Sequence, residues 1–329
     1  MRFTLPFYAV TFYPKANAMG LEEKFLLLKI RSDILNELQE ILSFHYVYPL
    51  PLNKFQVLMK SIESTRNIID TTPTELARIL SISTKHAESI LLNYKKVLQV
   101  NLLDVYYSAN IKPLPYTSEF YPESLHDLID PPLVLYAKGD ISLMKNPRKI
   151  GIIGSRKATS YSALAMDYIV PPLVENNIVI VSGLAKGADS LAHRATIKFG
   201  GKTIAVLGHG FSHLYPPENS ELAREIEGNH LLLTEYPPYV GVQKWHFPMR
   251  NRIISGISNA IVVTEASLKS GTLITTDHAL EHGKDIFVVP GPILKEQSQG
   301  TNSLLREGAI PIWDGHQIIE ELNCFEGKY

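Results

Sequence analysis

The stretch Lys244–Gly256 concentrates side chains that bind anions and flat rings. Its thirteen residues include one lysine, two arginines, one histidine and two aromatic residues, and they contain no carboxylate. Cationic groups attract anions, and aromatic rings stack on other flat rings. Apolar runs that resemble buried strands flank the stretch at Leu231–Leu233 and Ala260–Thr264. We interpret the stretch as a loop between two strands that forms a binding surface for an anionic, flat ligand.

Three glycine-containing turns carry hydroxyl and basic groups that suit phosphate binding. They are Gly154-Ser155-Arg156, Ser182-Gly183 with Lys186, and Ser270-Gly271-Thr272. Glycine lets backbone N–H groups approach an oxyanion, the following helix directs its positive end to the same place, and hydroxyls add donors. Glycine after a strand is often only a tight turn, so each turn alone is weak evidence. Together on one edge of a sheet, they predict a phosphate-binding pocket.

Six short apolar runs must position these turns, and each is followed by a glycine-bearing turn or a helical segment. The runs are Ile150–Ile153, Ile178–Val181, Thr203–Leu207, Leu231–Thr234, Ala260–Val263 and Asp285–Val289. Continuous β-branched runs are typical of strands buried on both faces, and alternation with helices predicts a doubly wound, mostly parallel α/β sheet. In such sheets the ligand binds beyond the carboxyl ends of the strands. The turns and the stretch Lys244–Gly256 therefore belong to one predicted pocket.

The chain before this sheet has the pattern of a small all-helical domain. Over residues 21–110, apolar residues recur at three- and four-residue steps and glycine is almost absent. Helix Pro73–Leu80, with a threonine cap, and helix Lys85–Val97, with Thr84 as its cap, indicate a SAM-like or helix-hairpin-helix-like unit. The turn between them lacks the Gly-x-Gly that lets a backbone approach a phosphate. A bundle that packs on the main domain is therefore favoured over direct nucleic-acid contact by this unit.

The domain limits follow from these patterns. We expect residues 1–20 to be a disordered extension or an upstream-start artefact without a structural role. Residues 111–145 are rich in proline and predict a connector with one strand. The sheet domain is expected over residues 146–315. Residues 316–329 are expected to be a short C-terminal tail, which leaves no room for a winged-helix domain.

Composition and motif content exclude several classes of protein. The formal net charge is −1, with 32 basic and 33 acidic residues, which excludes a protein that coats nucleic acid through bulk charge. The single Cys324 excludes a disulfide framework and fits a reducing cytoplasm. No apolar run reaches the roughly 18 residues of a membrane helix, and the histidines are too scattered to predict a metal site. Complete nucleotide-binding motifs and a nucleophile elbow are missing, so we expect no cofactor and no catalytic residues.

A series of short segments carries a resemblance to a known family. The segments are Asp130–Tyr136, Gly154–Arg156, Ser182–Asp189, Ala192–His193, Gly208–Gly210, Tyr215–Asn219, Phe247–Gly256, Glu265–Ser267, Ser270–Thr272, Pro290–Gly291, Gly300–Asn302 and Gly308–Ala309. In this order they resemble the DNA-processing protein A (DprA) family over roughly residues 115–315, and the ordered set is highly specific. Ala188, Ser162 and Phe211-Ser212 depart from the family pattern, and we interpret them as tolerated packing or turn changes.

The resemblance implies a non-catalytic protein that binds and protects incoming single-stranded DNA in natural transformation and homologous recombination. It also implies loading of the RecA recombinase, a homodimer, a cytoplasmic location and an extended Rossmann-like sheet domain. Single-strand binding protein is a further candidate partner. By resemblance, the pocket is lined by Ser155, Arg156, Lys186, Phe247, Arg250, Asn251 and Arg252. The dimer surface is expected near Leu304 and Leu305, with burial of these leucines in their own chain as an equal alternative.

Backbone charge and base stacking dominate the binding of single strands, and they suggest roles within the pocket. Phe247, with Trp245 as a second candidate, would stack on a base, and Asn251 would pair with a base edge. Phosphate binding is assigned to Arg156, Lys186, Arg250 and Arg252. Hydrogen-bond donation is assigned to Ser155, Ser182, Gly183, Ser270, Gly271 and Thr272. The alternative for Phe247 is core packing. The alternative for Arg250 and Arg252 is an internal salt bridge to Glu235 or Glu265.

An enzyme is the second hypothesis for this sequence. Nucleotide phosphoribohydrolases of the lysine-decarboxylase-like type also have a Rossmann-like sheet, with a Gly-Gly-x-Gly-Thr-x-x-Glu loop. Ser270-Gly271-Thr272 matches part of that loop, but Glu281 lies too far along the chain to match its spacing. We therefore favour the non-enzymatic binder.

Overall fold

The computed structural model describes the backbone of residues 21–326 and the side chains of residues 32–322. The predicted extension, residues 1–20, lies outside the described residues, as does the side chain of Cys324. The chain divides into two compact units. The first holds residues up to Tyr121 together with Ile129–Tyr136, and the second holds Pro122–Leu128 and the residues from Ala137 onward.

The first unit is built mainly from helices, as the glycine-poor, helix-periodic sequence predicts. Helix α3 is capped as predicted, with the Thr72 hydroxyl accepting a hydrogen bond from Glu75 N. Helix α4 is capped by Ser83, which accepts from His86 N, so the prediction of Thr84 as the cap is wrong. The elements are α1 (Leu21–Val47), α2 (Leu52–Ile62), a 3-10 helix (Thr65–Asp70), α3 (Pro73–Leu80), α4 (Thr84–Val97), α5 (Leu102–Ser108) and β1 (Lys112–Pro115).

The predicted connector, residues 111–145, contains two strands instead of one. These are β1 and β2 (Val134–Gly139). The sequence of β1 is Lys-Pro-Leu-Pro, and its prolines hid it, because proline ordinarily interrupts a strand. Proline nevertheless fixes φ at a value that an extended segment tolerates. The residues of this segment are shared between the two units, so it is not a separate linker.

The second unit confirms the predicted doubly wound α/β fold. Its parallel strands lie in the order β6-β5-β4-β3-β7-β8-β9, and the order reverses at β3, between β4 and β7. The strands are β3 (Lys149–Ile153), β4 (Val179–Ser182), β5 (Thr203–Leu207), β6 (Leu231–Thr234), β7 (Ala260–Val263), β8 (Asp285–Val288) and β9 (Ile310–Pro311). The helices are α6 (Ser160–Glu175), α7 (Ala188–Lys198), α8 (Ser220–Asn229), α9 (His246–Ile257), α10 (Thr272–Glu281), α11 (Gln299–Arg306) and α12 (Gly315–Glu326). Short 3-10 helices lie at Glu123–Leu125, Ile141–Lys145, Pro217–Asn219 and Glu296–Ser298.

A hydrophobic core lies between the sheet and helices α6, α7 and α12, and it bears on the predicted C-terminal tail. Ile150, Ile152 and Val262 face this core from the central strands. Ile318 of α12 is fully buried in the same cluster. The prediction of a short tail from residue 316 is therefore wrong, because the chain continues as a helix that contributes to the core.

Acidification is expected to destabilise the second unit through His193. This side chain is fully buried, with Nδ1 2.7 Å from Thr203 Oγ1, and burial lowers the pKa of His193 to about 3. The unfolded chain takes up this proton near pH 6.5, whereas the folded chain stays neutral down to about pH 3. The unfolded state therefore binds about one more proton from this group in this window, and stability falls as the pH drops from about 6.5 to about 3.

Urea unfolding across this pH range measures the effect. His193→Gln should flatten the pH dependence by about one proton. His316→Gln, at an exposed position, is the matched control and should keep the wild-type slope. Equal slopes for wild type and His193→Gln would contradict the assignment.

Candidate functional site

A cleft of about 430 Å³ opens at the carboxyl ends of β3 and β7. The turn after β3, helix α9 and the turn before α10 form most of its walls. The cleft lies where the strand order reverses, which is the usual ligand position in a doubly wound sheet. The predicted site residues that line it are Ser155, Arg156, Phe247, Arg250, Asn251, Ser270, Gly271 and Thr272.

The turn after β3 is held by hydrogen bonds and leaves two cations at the rim of the cleft. Ser155 N donates to Glu265 O at 2.7 Å, and Ala188 N donates to Ser155 O at 3.1 Å. The Ser155 hydroxyl accepts from Lys157 N at 3.0 Å. The side chains of Arg156 and Lys157 are exposed. The fixed backbone thus holds two adjacent positive charges at the mouth of the cleft.

Phe247 lies between this cleft and a second cavity. The guanidinium carbon of Arg156 is 5.0 Å from the centroid of the Phe247 ring, within the range of a cation–π contact. The Tyr215 ring lies on another side, with centroids 5.9 Å apart. The second cavity has a volume of about 260 Å³, and its lining includes Phe247, Tyr215 and Lys186. Phe247 is only half-buried, so part of its ring remains available to a ligand.

Lys186 lies in the second cavity instead of the main cleft. Its ammonium forms a hydrogen-bonded ion pair with Glu218, and both side chains are exposed. This hydrogen bond raises the pKa of Lys186 and lowers the pKa of Glu218. Exposed ion pairs contribute little free energy. A phosphate can therefore replace the Glu218 carboxylate as the partner of Lys186 at low cost.

The stretch Lys244–Gly256 is mostly helical, which corrects its prediction as a loop. Pro248 lies in the first turn of α9, where its missing N–H breaks no intrahelical hydrogen bond. The same turn brings Phe247 to the cleft, and Lys244, just before the helix, lines it too. Ile253 and Ile254 are buried and anchor the helix.

Arg250 borders the cleft but is buried, with 3% of its surface exposed. Its Nη1 donates to the backbone oxygens of Gly183 and Val206, and its Nε donates to Asn251 Oδ1 at 3.0 Å. Asp189 Oδ2 lies 4.0 Å from Nη2. Burial lowers the pKa of Arg250 and raises the pKa of Asp189. The structure gives Arg250 a bracing role in place of the predicted phosphate contact.

Ser182 and Gly183 also face inward. The buried Ser182 hydroxyl donates to Ile152 O at 2.6 Å. Gly183 N donates to Asp189 and Gly183 O accepts from Arg250. A Cβ at position 183 would overlap the Arg250 guanidinium, so only glycine permits this approach. The polar groups of both residues are used within the fold, so neither residue is placed for the predicted donation to an oxyanion.

Arg252 lies outside the cleft, so the structure does not place it for the predicted phosphate contact. It forms an ion pair with Glu235, which follows β6, and the two side chains are 6% and 12% exposed. Nε and Nη1 of Arg252 are buried and have no hydrogen-bond partner among the described residues. The alternative of an internal salt bridge to Glu235 is what the structure shows.

The turn before α10 forms the far wall of the cleft. Ser270 Oγ donates to Thr272 Oγ1 at 2.8 Å and accepts from Thr272 N at 3.2 Å. Gly271 is exposed, and a Cβ there would meet no atom within 4 Å. This wall therefore offers an open backbone with short hydroxyl side chains.

Sequence reasoning missed several residues that line the cleft, including Lys157, Lys244, Gln297 and the exposed carboxylate Glu296. Lys157 and Lys244 add exposed cations to the cleft, and Gln297 adds an amide. The two lysines stand beside or within segments that were already singled out, so charge alone could have identified them. Ser162, interpreted as a tolerated change, instead donates to Glu265 Oε2 at 2.7 Å.

The predicted dimer residues lie on α11, away from the lining of the cleft. Leu304 is 6% exposed within its own chain, and Leu305 is half-buried. Leu304 therefore offers little surface to a partner, which favours the alternative of burial in its own core.

The described residues contain neither a metal-binding cluster nor a membrane-spanning helix. No group of three or more His, Cys, Asp or Glu side chains within them could hold a metal ion. None of the helices described for residues 21–326 combines the length and the apolar composition needed to cross a membrane.

The chain belongs to the DNA recombination-mediator protein A family, whose sequence model matches residues 112–323. It is 44% identical to the DNA processing protein DprA of Bacillus subtilis (strain 168) over 229 residues, which is 70% of this chain and 76% of that protein. Belonging to this family associates the protein with DNA processing.

Solved structures agree with this assignment. DNA processing protein A (DprA) from Streptococcus pneumoniae is similar with a TM-score of 0.72 and 34% identity, over 85% of this chain and 96% of that one. DNA processing protein A from Helicobacter pylori, described for its single-stranded DNA binding mode, is similar with a TM-score of 0.59 and 33% identity. That similarity covers 64% of this chain and 95% of the other.

Proposed function

We propose that the protein binds single-stranded DNA at the cleft without catalysing a reaction on it. The observation that carries the proposal is the rim of exposed cations around a half-buried aromatic ring, with Arg156 over Phe247. Single strands are held by backbone charge and by stacking on aromatic rings. The relative from Helicobacter pylori binds single-stranded DNA, which supports the same ligand for this chain.

The proposed phosphate contacts come from four exposed cations. They are Arg156, Lys157, Lys186 and Lys244. Ser155 and the turn Ser270–Thr272 supply hydroxyl and backbone groups to the same ligand. Asn251 shares its Oδ1 with Arg250, and its amide group is left to approach a base edge. Arg250 acts only through the wall that it braces.

Salt dependence is expected to report these contacts. Each phosphate neutralised on a single strand contributes about −0.7 to the slope of log affinity against log salt, so four contacts give a slope of roughly −3. Arg156→Ala or Lys157→Ala should each weaken binding and make the slope shallower by about 0.7. Fluorescence anisotropy with a labelled single-stranded oligonucleotide, titrated at several salt concentrations, measures both quantities.

The matched control is Lys198→Ala, an exposed lysine that pairs with Asp167 and does not line the cleft. It should keep the wild-type slope. An equal loss for Lys198→Ala, or binding that ignores salt, would contradict the proposal. A duplex of the same length should bind more weakly. Release of free base from nucleoside monophosphates in the same preparations would instead support the phosphoribohydrolase alternative.

Three finer steps of the proposal rest on the family resemblance. The protein would load the RecA recombinase on the bound strand in natural transformation, act as a homodimer, and work in the cytoplasm. A mass measurement of the free protein tests the dimer. Co-purification of RecA with the protein–oligonucleotide complex, compared with oligonucleotide alone, tests the partner.

A further inference from the structure

The hydrogen-bond donors at the start of α6 bind a carboxylate from elsewhere in the same chain. Glu265 follows β7 and is 4% exposed. Its Oε2 accepts hydrogen bonds from Thr159 N and Ser162 Oγ, both at 2.7 Å, and its Oε1 accepts from Thr159 Oγ1 at 2.9 Å. Thr159 is the capping residue of α6. Three donors at the start of this helix therefore converge on one buried anion.

The start of α6 is also the position at which doubly wound sheets commonly bind phosphate. Helix α6 follows β3, where the strand order reverses, and the positive end of its dipole favours a negative charge. In this chain Glu265 supplies that charge and uses the donors. An external phosphate at the same place would have to displace the carboxylate or be repelled by it.

We propose that Glu265 is a specificity-determining residue: it fills the phosphate position at the start of α6, just beyond the cleft-lining turn Gly154–Lys157, and so denies inorganic phosphate and free nucleoside phosphates an anchor beside the cleft. A nucleotide then lacks its usual anchor and is left with the side chains at the rim. A single strand of DNA makes several such rim contacts at once, so the missing anchor lowers its affinity less than it lowers the affinity of a single nucleotide. The inference deepens the proposed function and rests on it for its biological meaning.

Ser162 strengthens this arrangement. Its hydroxyl donates to the Glu265 carboxylate and lies 3.1 Å from Thr264 Oγ1, so it is held from both sides. Glycine at this position would remove one of the three hydrogen bonds. Ser162→Gly should therefore weaken the exclusion of phosphate from the start of α6. The effect should be smaller than that of Glu265→Ala.

Glu265→Ala provides the direct test, because the group removed has the size and charge of acetate. Acetate and inorganic phosphate should each raise the melting temperature of this variant above the value in chloride of equal ionic strength. Wild type should show no such rise. Thymidine 5′-monophosphate should bind the variant roughly tenfold more tightly than wild type, since it gains charge-assisted hydrogen bonds at the helix start. Glu175→Ala, at the exposed opposite end of α6, is the matched control.

A folded Glu265→Ala protein that responds to neither acetate nor phosphate overturns the proposal, as does an equal response of Glu175→Ala. Where the alanine variant does not fold, Glu265→Gln decides, because it keeps the shape and removes the charge. It should lower the ratio of oligonucleotide affinity to thymidine 5′-monophosphate affinity, and an unchanged ratio overturns the proposal. The melting measurements use no DNA, so they separate failure of this inference from failure of the proposed function.

Discussion

Replacing Arg252 with alanine is expected to lower the free energy of unfolding by about 3 kcal/mol, at the lower end of the 3–5 kcal/mol typical for breaking a buried ion pair. The change removes the cationic partner of Glu235 in a place where the carboxylate side chain is 12% exposed. The lower end applies because Nε and Nη1 of Arg252 are already buried without hydrogen bonds among the described residues. Urea unfolding of wild type and variant measures the difference.

The binding properties of the same variant separate this role from phosphate binding. At a temperature where Arg252→Ala is folded, its salt slope for single strands should equal that of wild type. The double variant Arg252→Met with Glu235→Leu should recover part of the lost stability, because a buried ion pair can be replaced by apolar side chains at little cost. A shallower salt slope with unchanged stability would instead return Arg252 to the phosphate-binding set.

Phe247→Ala is expected to weaken single-strand binding by about 1–3 kcal/mol, which is roughly a 5- to 150-fold loss of affinity. The ring lines both cavities and is the aromatic surface of the cleft. Its removal takes away stacking and leaves the cations in place, so the salt slope should not change. Anisotropy titrations at fixed and varied salt measure both quantities.

Two further variants sharpen this result. Phe247→Tyr keeps an aromatic face and should retain most of the affinity. Trp245→Ala removes a ring that is 61% exposed but rests on Tyr236 and His246 and does not line the cleft. Its effect should be much smaller than that of Phe247→Ala. A larger effect at Trp245 would move the stacking surface out of the cleft.

The strands of the second unit could be predicted closely because their signal is local. Thr203–Leu207, Leu231–Thr234 and Ala260–Val263 have the bounds that their apolar runs indicate. A parallel strand covered on both faces needs an unbroken apolar run. The order of motifs along the chain then identified the family, and the carboxyl-edge rule placed the cleft.

The partners of the buried arginines could not be predicted, because they are distant in sequence. Arg252 pairs with Glu235, 17 residues away, and Arg250 reaches Gly183, 67 residues away. In the sequence, an arginine near a glycine turn predicts phosphate binding whether its side chain is exposed or buried in the fold. Only the fold decides between them, and here it buries both.

The missed helix α12 had a local signal that was overlooked. Asp314 Oδ1 accepts from His316 N at 2.8 Å and from Gln317 N at 3.2 Å, as a helix cap does. The apolar residues that follow include Ile318, which is buried in the core. The helical identity of α9 was hidden for another reason, since Pro248 near its start resembles a helix breaker although it lies in the tolerated first turn.

The hydrogen bonds of Arg250 make the back wall of the cleft a preorganised template. One guanidinium ties the turn after β4 to strand β5 through the oxygens of Gly183 and Val206, so the wall needs no ligand to form. The entropy cost of association then falls mainly on the flexible strand, which must adopt the shape of the protein. Each bound nucleotide adds contacts and also loses conformational entropy. The affinity therefore depends on how many nucleotides the surface can hold in a fixed conformation.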